Sequence, residues 1–262
     1  MNEKIYIDGC YWNNNPNFHL SDSHWKAHHL YSLLGPIAKS ILPRKQIKIS
    51  EVGCGAGGVL STFIEFMNER GFECEGVGYD ISPAAIDKAK LLFPNIKFKV
   101  TDITQINEGF DLLLLVDILE HVNIPADILN RCFELSPIII IHLPLDNNFW
   151  GKLLRGKGYY EYLRNDRGHI HYFTKRAAFK LVNSINAHVL TWKYTKWGIE
   201  NDLDKSKSGK FVRFLRHIGF RLNMNVSVRL LGGASIAMVC CQNKEIINRI
   251  SARAACFTKD SI

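Results

Sequence analysis

The clearest order in the chain is an alternation of short apolar runs with amphipathic stretches between residues 45 and 143. "IKISEV" (47–52) is a strand-sized apolar run, and after a cluster of glycines Leu60, Phe63, Ile64 and Met67 recur at i, i+3, i+4, i+7. That spacing predicts a helix, with Gly71 as a natural stop. "CEGVGYD" (74–80) is the next strand, and Ser82 followed by Pro83 offers an N-cap and first helical position for "PAAIDKAKLL". "IKFKV" (96–100), "FDLLLLV" (110–116) and "PIIIIHL" (137–143) bring the strands to five. Their near-continuous apolar runs suit a parallel sheet covered on both faces. Short connections in β-α order predict a doubly wound, Rossmann-like α/β sheet with helices on both faces.

Beyond 143 the pattern loosens. Residues 144–173 carry no clear period but many aromatic and basic side chains, and are expected to form a long substrate loop. Thr174 then caps a helix whose Ala178, Leu181, Val182 and Ile185 share a face, followed by strands at 187–197 and 234–241. Between them, 198–233 reads as an insertion with a basic amphipathic stretch at 210–222. Its Phe211, Phe214, Leu215, Ile218 and Leu222 are expected to pack on the sheet. No repeat or low-complexity linker divides the chain, which reads as a single domain over 1–262. Its parts are an N-terminal helical lid (1–44), a core (45–143), the substrate loop, the C-terminal half of the sheet (174–241) and a tail (242–262).

Composition changes this picture little. The 262 residues are 47% hydrophobic and 22% charged, ordinary for a globular protein. No apolar run approaches the ~20 residues of a membrane span, and "MNEKIYIDGC" lacks the layout of a secretory signal. The seven cysteines form no C-x-x-C and are read as buried thiols rather than a zinc site. A cytoplasmic protein is expected, with the inner face of the membrane as a candidate place of contact. Charge matters more. Between Lys205 and Arg253 ten basic residues face one acid, Glu245, a local +9 in a chain whose total is +8. The stretch 205–230 is therefore a candidate for peripheral contact with an anionic membrane.

The glycines in "ISEVGCGAGGVL" (49–60) fit two templates. Gly53, Gly55 and Gly58 make the G-x-G-x-x-G of a dinucleotide turn; Glu51, Gly53, Gly55 and Gly57 make the acidic-x-G-x-G-x-G of an S-adenosylmethionine (SAM) turn. A carboxylate at Glu51 is a poor neighbour for pyrophosphate but answers an α-ammonium group. Asp80, at the end of the second strand, suits ribose hydroxyls, and Asp102 in "VTDIT" suits an adenine amino group or else a simple loop cap.

"EVGCGAG", "GYDIS", "VTDI" and "FDLLLLVDILEHV" together resemble the successive motifs of class I SAM-dependent methyltransferases, in the branch that includes quinone-biosynthesis enzymes. The resemblance implies a seven-stranded sheet whose last strand inserts antiparallel. It implies SAM as cofactor, held by Glu51, Gly53, Cys54, Gly55, Gly57, Asp80, Ile81, Asp102, Ile103 and Asp117. The ends of the chain, including "HLPLDNN" and "RGHIHYFTKRAA", are similar to bacterial methyltransferases associated with surface-polysaccharide biosynthesis. This similarity favours a small-molecule or glycan-type acceptor, phosphorylated ones included.

Methyl transfer needs alignment and water exclusion, and an alcohol acceptor adds the need for a general base. The candidates are His142, His169 and His121; the plain alternative for each is a hydrogen-bonded structural histidine. His121 is expected to begin a helix near the SAM methionine end. Trp150, Arg155, Tyr160, Arg167, His171 and Tyr172 are candidate acceptor contacts through stacking and anion binding. His19, His24, His28 and His29 near the amino end lack partner ligands, and no metal is expected there. Trp25 and Lys26 would face inward from the lid. The favoured activity is O-methylation of a sugar or glycan intermediate, with a quinone- or lipid-like acceptor as the alternative. "DILE" after the fourth strand and the lack of an RNA-binding module argue against nucleic acid. A SAM-binding protein without turnover is the remaining reading.

Overall fold

The computed structural model describes residues 17–18, 20–43, 46–200 and 207–250, with backbone only at 154–157, 166 and 207–209. The strands are β1 (Gln46–Val52), β2 (Glu73–Asp80), β3 (Lys97–Val100), β4 (Leu112–Val116), β5 (Ile138–Pro144), β6 (His188–Thr195) and β7 (Ser235–Cys241). They form one sheet in the order β3-β2-β1-β4-β5-β7-β6, parallel throughout β1 to β5, with β7 antiparallel to both its neighbours. The order reverses between β1 and β4. This is the switch point at whose carboxyl edge open α/β sheets bind ligands.

The apolar runs are explained by coverage on both faces. Leu112 and Leu114 of β4 join a core layered under α1 (Ser23–Ile41) and α2 (Gly58–Glu69), while Leu113 and Leu115 join the opposite core. That second layer is closed by α4 (Pro125–Leu135) and α6 (Lys175–Ser184), and all four leucines are fully buried. The Ser82 cap forms as the sequence predicts, accepting from Ala85 N at the head of α3 (Pro83–Leu92). α1 buries Ala27, Leu30, Leu34, Ala38 and Ile41 along its length. The expected lid is therefore a packed wall, and only its first turn reaches the ligand edge. Residues 1–16 and 19, including His19, lie outside the described residues, as do 251–262 of the expected tail.

Two expectations are corrected. The stretch read as a loop contains a 19-residue helix, α5 (Phe149–Arg167), capped by the Asn148 side chain on Gly151 N and ended by Gly168 in the left-handed region. The basic insertion folds as α7 (Trp197–Glu200), α8 (Lys207–Leu222) and α9 (Met224–Leu231). Its apolar stripe does not pack on the sheet: Phe211, Phe214, Ile218 and Leu222 are exposed. What turns inward instead are two arginines. Arg213 donates to Ile199 O, and Arg216 donates to Leu231 O.

Candidate active site

The carboxyl ends of β1, β2, β4 and β5 open into a cavity of about 1320 Å³. Its wall includes Glu51, Gly53, Cys54, Gly55, Asp80, Ile81, Asp102, Ile103 and Asp117, nine of the ten residues expected to hold the cofactor. Gly57 stands just behind them as the N-cap of α2. The turn is built for glycine. Gly53 has φ +71° and a Cβ there would run into Ile118 Cδ1; Gly57 has φ +80° and its Cβ would meet the Phe98 ring. The Gly53 and Cys54 amides donate to Tyr79 O, which pins the turn to the end of β2.

Each acid at this edge is held in place. Asp80 accepts from Gly55 N at 2.9 Å and from Ser82 N at 2.8 Å, and burial pushes its carboxyl up. Glu51 accepts from Leu60 N at 3.0 Å. Burial pushes it up to about 8 despite that hydrogen bond and the nearby Lys26 charge. Asp102 accepts from Thr104 N as the cap of a short 3-10 turn, Ile103–Gln105. Asp117 has φ +54° and accepts from His142 Nδ1 at 2.6 Å, while its other oxygen pairs with Lys26 Nζ at 3.0 Å. Burial alone would raise Asp117, but Lys26 and His142 outweigh it and hold the carboxyl well below the usual range. Lys26 also pairs with Asp22 at 3.0 Å; the two carboxylates outweigh its burial and hold its ammonium above the ordinary value.

The three candidate bases differ sharply. His142 is buried with both ring nitrogens engaged: Nδ1 donates to Asp117, and Nε2 takes the hydrogen bond of Thr195 Oγ1 at 2.9 Å. His169 donates Nδ1–H to Asp146 Oδ2 at 2.7 Å, which makes Nε2 its acceptor nitrogen. His121 donates Nδ1–H to Gly168 O at 3.0 Å and meets His169 edge to face at 4.9 Å between ring centres. It lies in the turn before α4 and does not start the helix, which begins at Pro125. Beside them Glu120 is fully buried with neither carboxyl oxygen hydrogen-bonded, and burial together with Asp117 pushes it well up. The local backbone explains this meeting. Gly168 ends α5, and the amides of Ile170 and His171 then both donate to Glu120 O, laying 168–171 along 120–123.

The other expected contacts divide. Trp150 and Arg167 line the cavity. Tyr160 and Tyr172 stand off it and pair with each other, their ring centres 4.4 Å apart, and His171 Nε2 donates to Val122 O. The side chain of Arg155 lies outside the described residues. Trp25 does not reach the cavity either; its indole donates to Glu200 Oε2 at 2.6 Å. His24 and His28 pack their rings on Phe66. Arg213 and Arg216, read in the sequence as part of a basic surface, line the wall.

A seven-stranded sheet in this order, with a glycine turn after β1 and an acid at the end of β2, defines the class I methyltransferase architecture. Residues 26–191 match the family model of a methyltransferase domain, and the chain belongs to that family. It is similar to the ubiquinone biosynthesis O-methyltransferase of Pseudomonas fluorescens strain Pf0-1, 31% identical over 94 residues. Those residues are 34% of this chain and 39% of that enzyme, so the match spans about two fifths of the relative. Among solved structures, magnesium protoporphyrin IX methyltransferase of Synechocystis PCC 6803 with bound S-adenosylhomocysteine superposes with a TM-score of 0.54. It is 13% identical, over 84% of this chain and 83% of that one. The cyclopropane synthase MmaA2 of Mycobacterium tuberculosis gives 0.55 at 10% identity, over 79% and 83%.

Proposed function

We propose that the chain transfers the methyl group of SAM to a hydroxyl oxygen of a ring-shaped small-molecule acceptor, with a sugar or glycan intermediate the leading class. In this reading the glycine turn and Asp80 receive the adenosine, with Asp80 on the ribose hydroxyls and Asp102 beside the adenine. Glu51 answers the ammonium group. The single observation that carries O-methylation is the corner of Asp146, His169, His121 and Glu120 on the wall of the same cavity. A hydroxyl seated there loses its proton at that corner; its oxygen attacks the methyl carbon, and the C–S bond breaks with its electrons left on sulfur. Trp150, Tyr159 and Tyr162 offer flat apolar surface to a ring, and Arg167, Arg213 and Arg216 bring positive charge that suits a phosphorylated acceptor. The likeness to ubiquinone biosynthesis O-methyltransferases supports a quinol as the second reading.

A screen of nucleotide sugars, sugar phosphates and catechols with radiolabelled SAM tests the acceptor class. With the acceptor found, His169→Ala is expected to lower kcat by about 10²–10⁴-fold with SAM affinity unchanged. Activity within threefold of the parent would remove the corner from the chemistry.

Glu51 gives a pH signature. Its carboxyl, at about 8, holds a proton at neutral pH in the empty protein. An ammonium group placed beside it favours the charged form, so SAM binding expels the proton. Affinity is expected to tighten from about pH 6 to about 7.5, below where an α-amino group itself titrates. Calorimetry at pH 7 in two buffers of different ionisation enthalpy should register release of about one proton. No release, or release that persists in Glu51→Gln, would take Glu51 out of the SAM seat.

A further inference from the structure

Glu120 poses a problem of its own. It is fully buried, both its carboxyl oxygens lack a hydrogen-bond partner, and Asp117 and Asp146 add negative charge around it. A buried carboxyl group with neither oxygen hydrogen-bonded is costly to ionise, and a bound cation is one arrangement that completes such a group. Among the described residues, Glu120, His121 and His169 each offer one ligand atom, and the three atoms lie within 4.8 Å of one another.

We infer that Glu120, His121 and His169 form a divalent transition-metal site, with the acceptor hydroxyl taking an open position on the ion. The second layer is already built. Metal-binding histidines donate their other ring N–H to a carboxylate or carbonyl, which fixes the tautomer and aims the remaining nitrogen. His169 donates to Asp146 and His121 donates to Gly168 O, so both present Nε2 as the acceptor nitrogen. His121 Nε2 stands 3.9 Å from Glu120 Oε1, too far for a hydrogen bond. Binding at ~2.1 Å to each ligand would draw the three atoms in around one ion. Two imidazoles and one carboxylate on one side leave the cavity side of the ion open, a set that suits zinc, manganese or iron rather than calcium. A hydroxyl bound there is acidified by the ion and releases its proton to water in the cavity. His169 then serves as a ligand and not as the base.

The ion's role in activating the hydroxyl rests on the O-methylation reading; its binding does not. The test is therefore a titration of the full chain, stripped with EDTA, with MnCl2 followed by electron paramagnetic resonance and with ZnCl2 followed by calorimetry. One ion per chain is expected. Glu120→Gln, which keeps shape and removes charge, is expected to weaken it at least about a hundredfold, and Asp146→Asn about 10–100-fold. Thermal melting checks that both variants fold. Weakening in Asp146→Asn is the readout that a merely structural Glu120 would not give. Absence of binding by either ion, or binding that survives Glu120→Gln, overturns the site and leaves His169 as a base acting alone. Failure of SAM to bind would overturn the proposed function while the metal titration still stands.

Discussion

Asp80→Ala is expected to weaken SAM binding by at least about a hundredfold while the chain stays folded. Two charge-assisted hydrogen bonds to ribose hydroxyls at ~1.5–3 kcal/mol each set that scale. The carboxylate is held in place by the backbone. Gly55 N and Ser82 N hold it at the end of β2, and it lies on the cavity wall with burial pushing it up. The same bonds make Asp80 a brace for the glycine turn, so Asp80→Asn is the control. The amide keeps one acceptor for Ser82 or Gly55, and it should restore melting behaviour before it restores SAM affinity. Calorimetry with SAM and S-adenosylhomocysteine, beside thermal melting of both variants, separates the two roles. SAM binding within threefold of the parent in Asp80→Ala would move the adenosine away from this edge.

The sheet is legible in the sequence because burial on both faces writes each central strand as an unbroken apolar run, as in "LLLLV" and "IIIIHL". The acids Glu51, Asp80 and Asp117 are legible for a related reason: they sit at or just past strand ends, where the apolar run stops. α5 is hidden because apolar and polar residues alternate round it without one stripe, and glycines interrupt it at 151, 156 and 158. Asn148 and Gly168 fix its ends, and those are signals only once the helix is suspected. His121 and His169 stand out in the sequence as candidate bases, but their meeting with each other and with Glu120 could not be read. The two histidines are separated by 48 residues and meet only because two amides after Gly168 find the Glu120 carbonyl. His142 misleads in the opposite way. Its place at a strand end suggests a base, yet Asp117 and Thr195, the latter 53 residues on, occupy both nitrogens. The basic stretch likewise conceals Arg213 and Arg216, since charge alone does not tell a solvated arginine from one turned toward a cavity.

Lys26→Met is expected to destabilise the protein by about 3–5 kcal/mol at pH 7, about 10 °C in Tm for a chain of this size. The ammonium is nearly buried and stands 3.0 Å from both Asp22 and Asp117, tying the first turn of α1 to the end of β4. Methionine keeps most of the volume, so the loss is of charge: two carboxylates would face each other in a desolvated place. The pH dependence gives the sign. Asp117 is held below its ordinary value in the folded protein, so it contributes stability above that value and the contribution is lost as pH falls. Lys26 is held above its ordinary value, so its contribution is present below about 10.5 and fades as pH rises past it. The difference between parent and variant should therefore be broad through neutrality and shrink below about pH 4, where the stranded carboxylates take up protons. Asp117→Asn added to Lys26→Met should recover part of the loss, because a neutral amide tolerates the site better than an unpaired charge. Urea unfolding of the three variants at neutral and acid pH measures this directly. A loss below about 0.5 kcal/mol for Lys26→Met, the scale of an exposed pair, would mean that the contact does not hold α1 to the sheet.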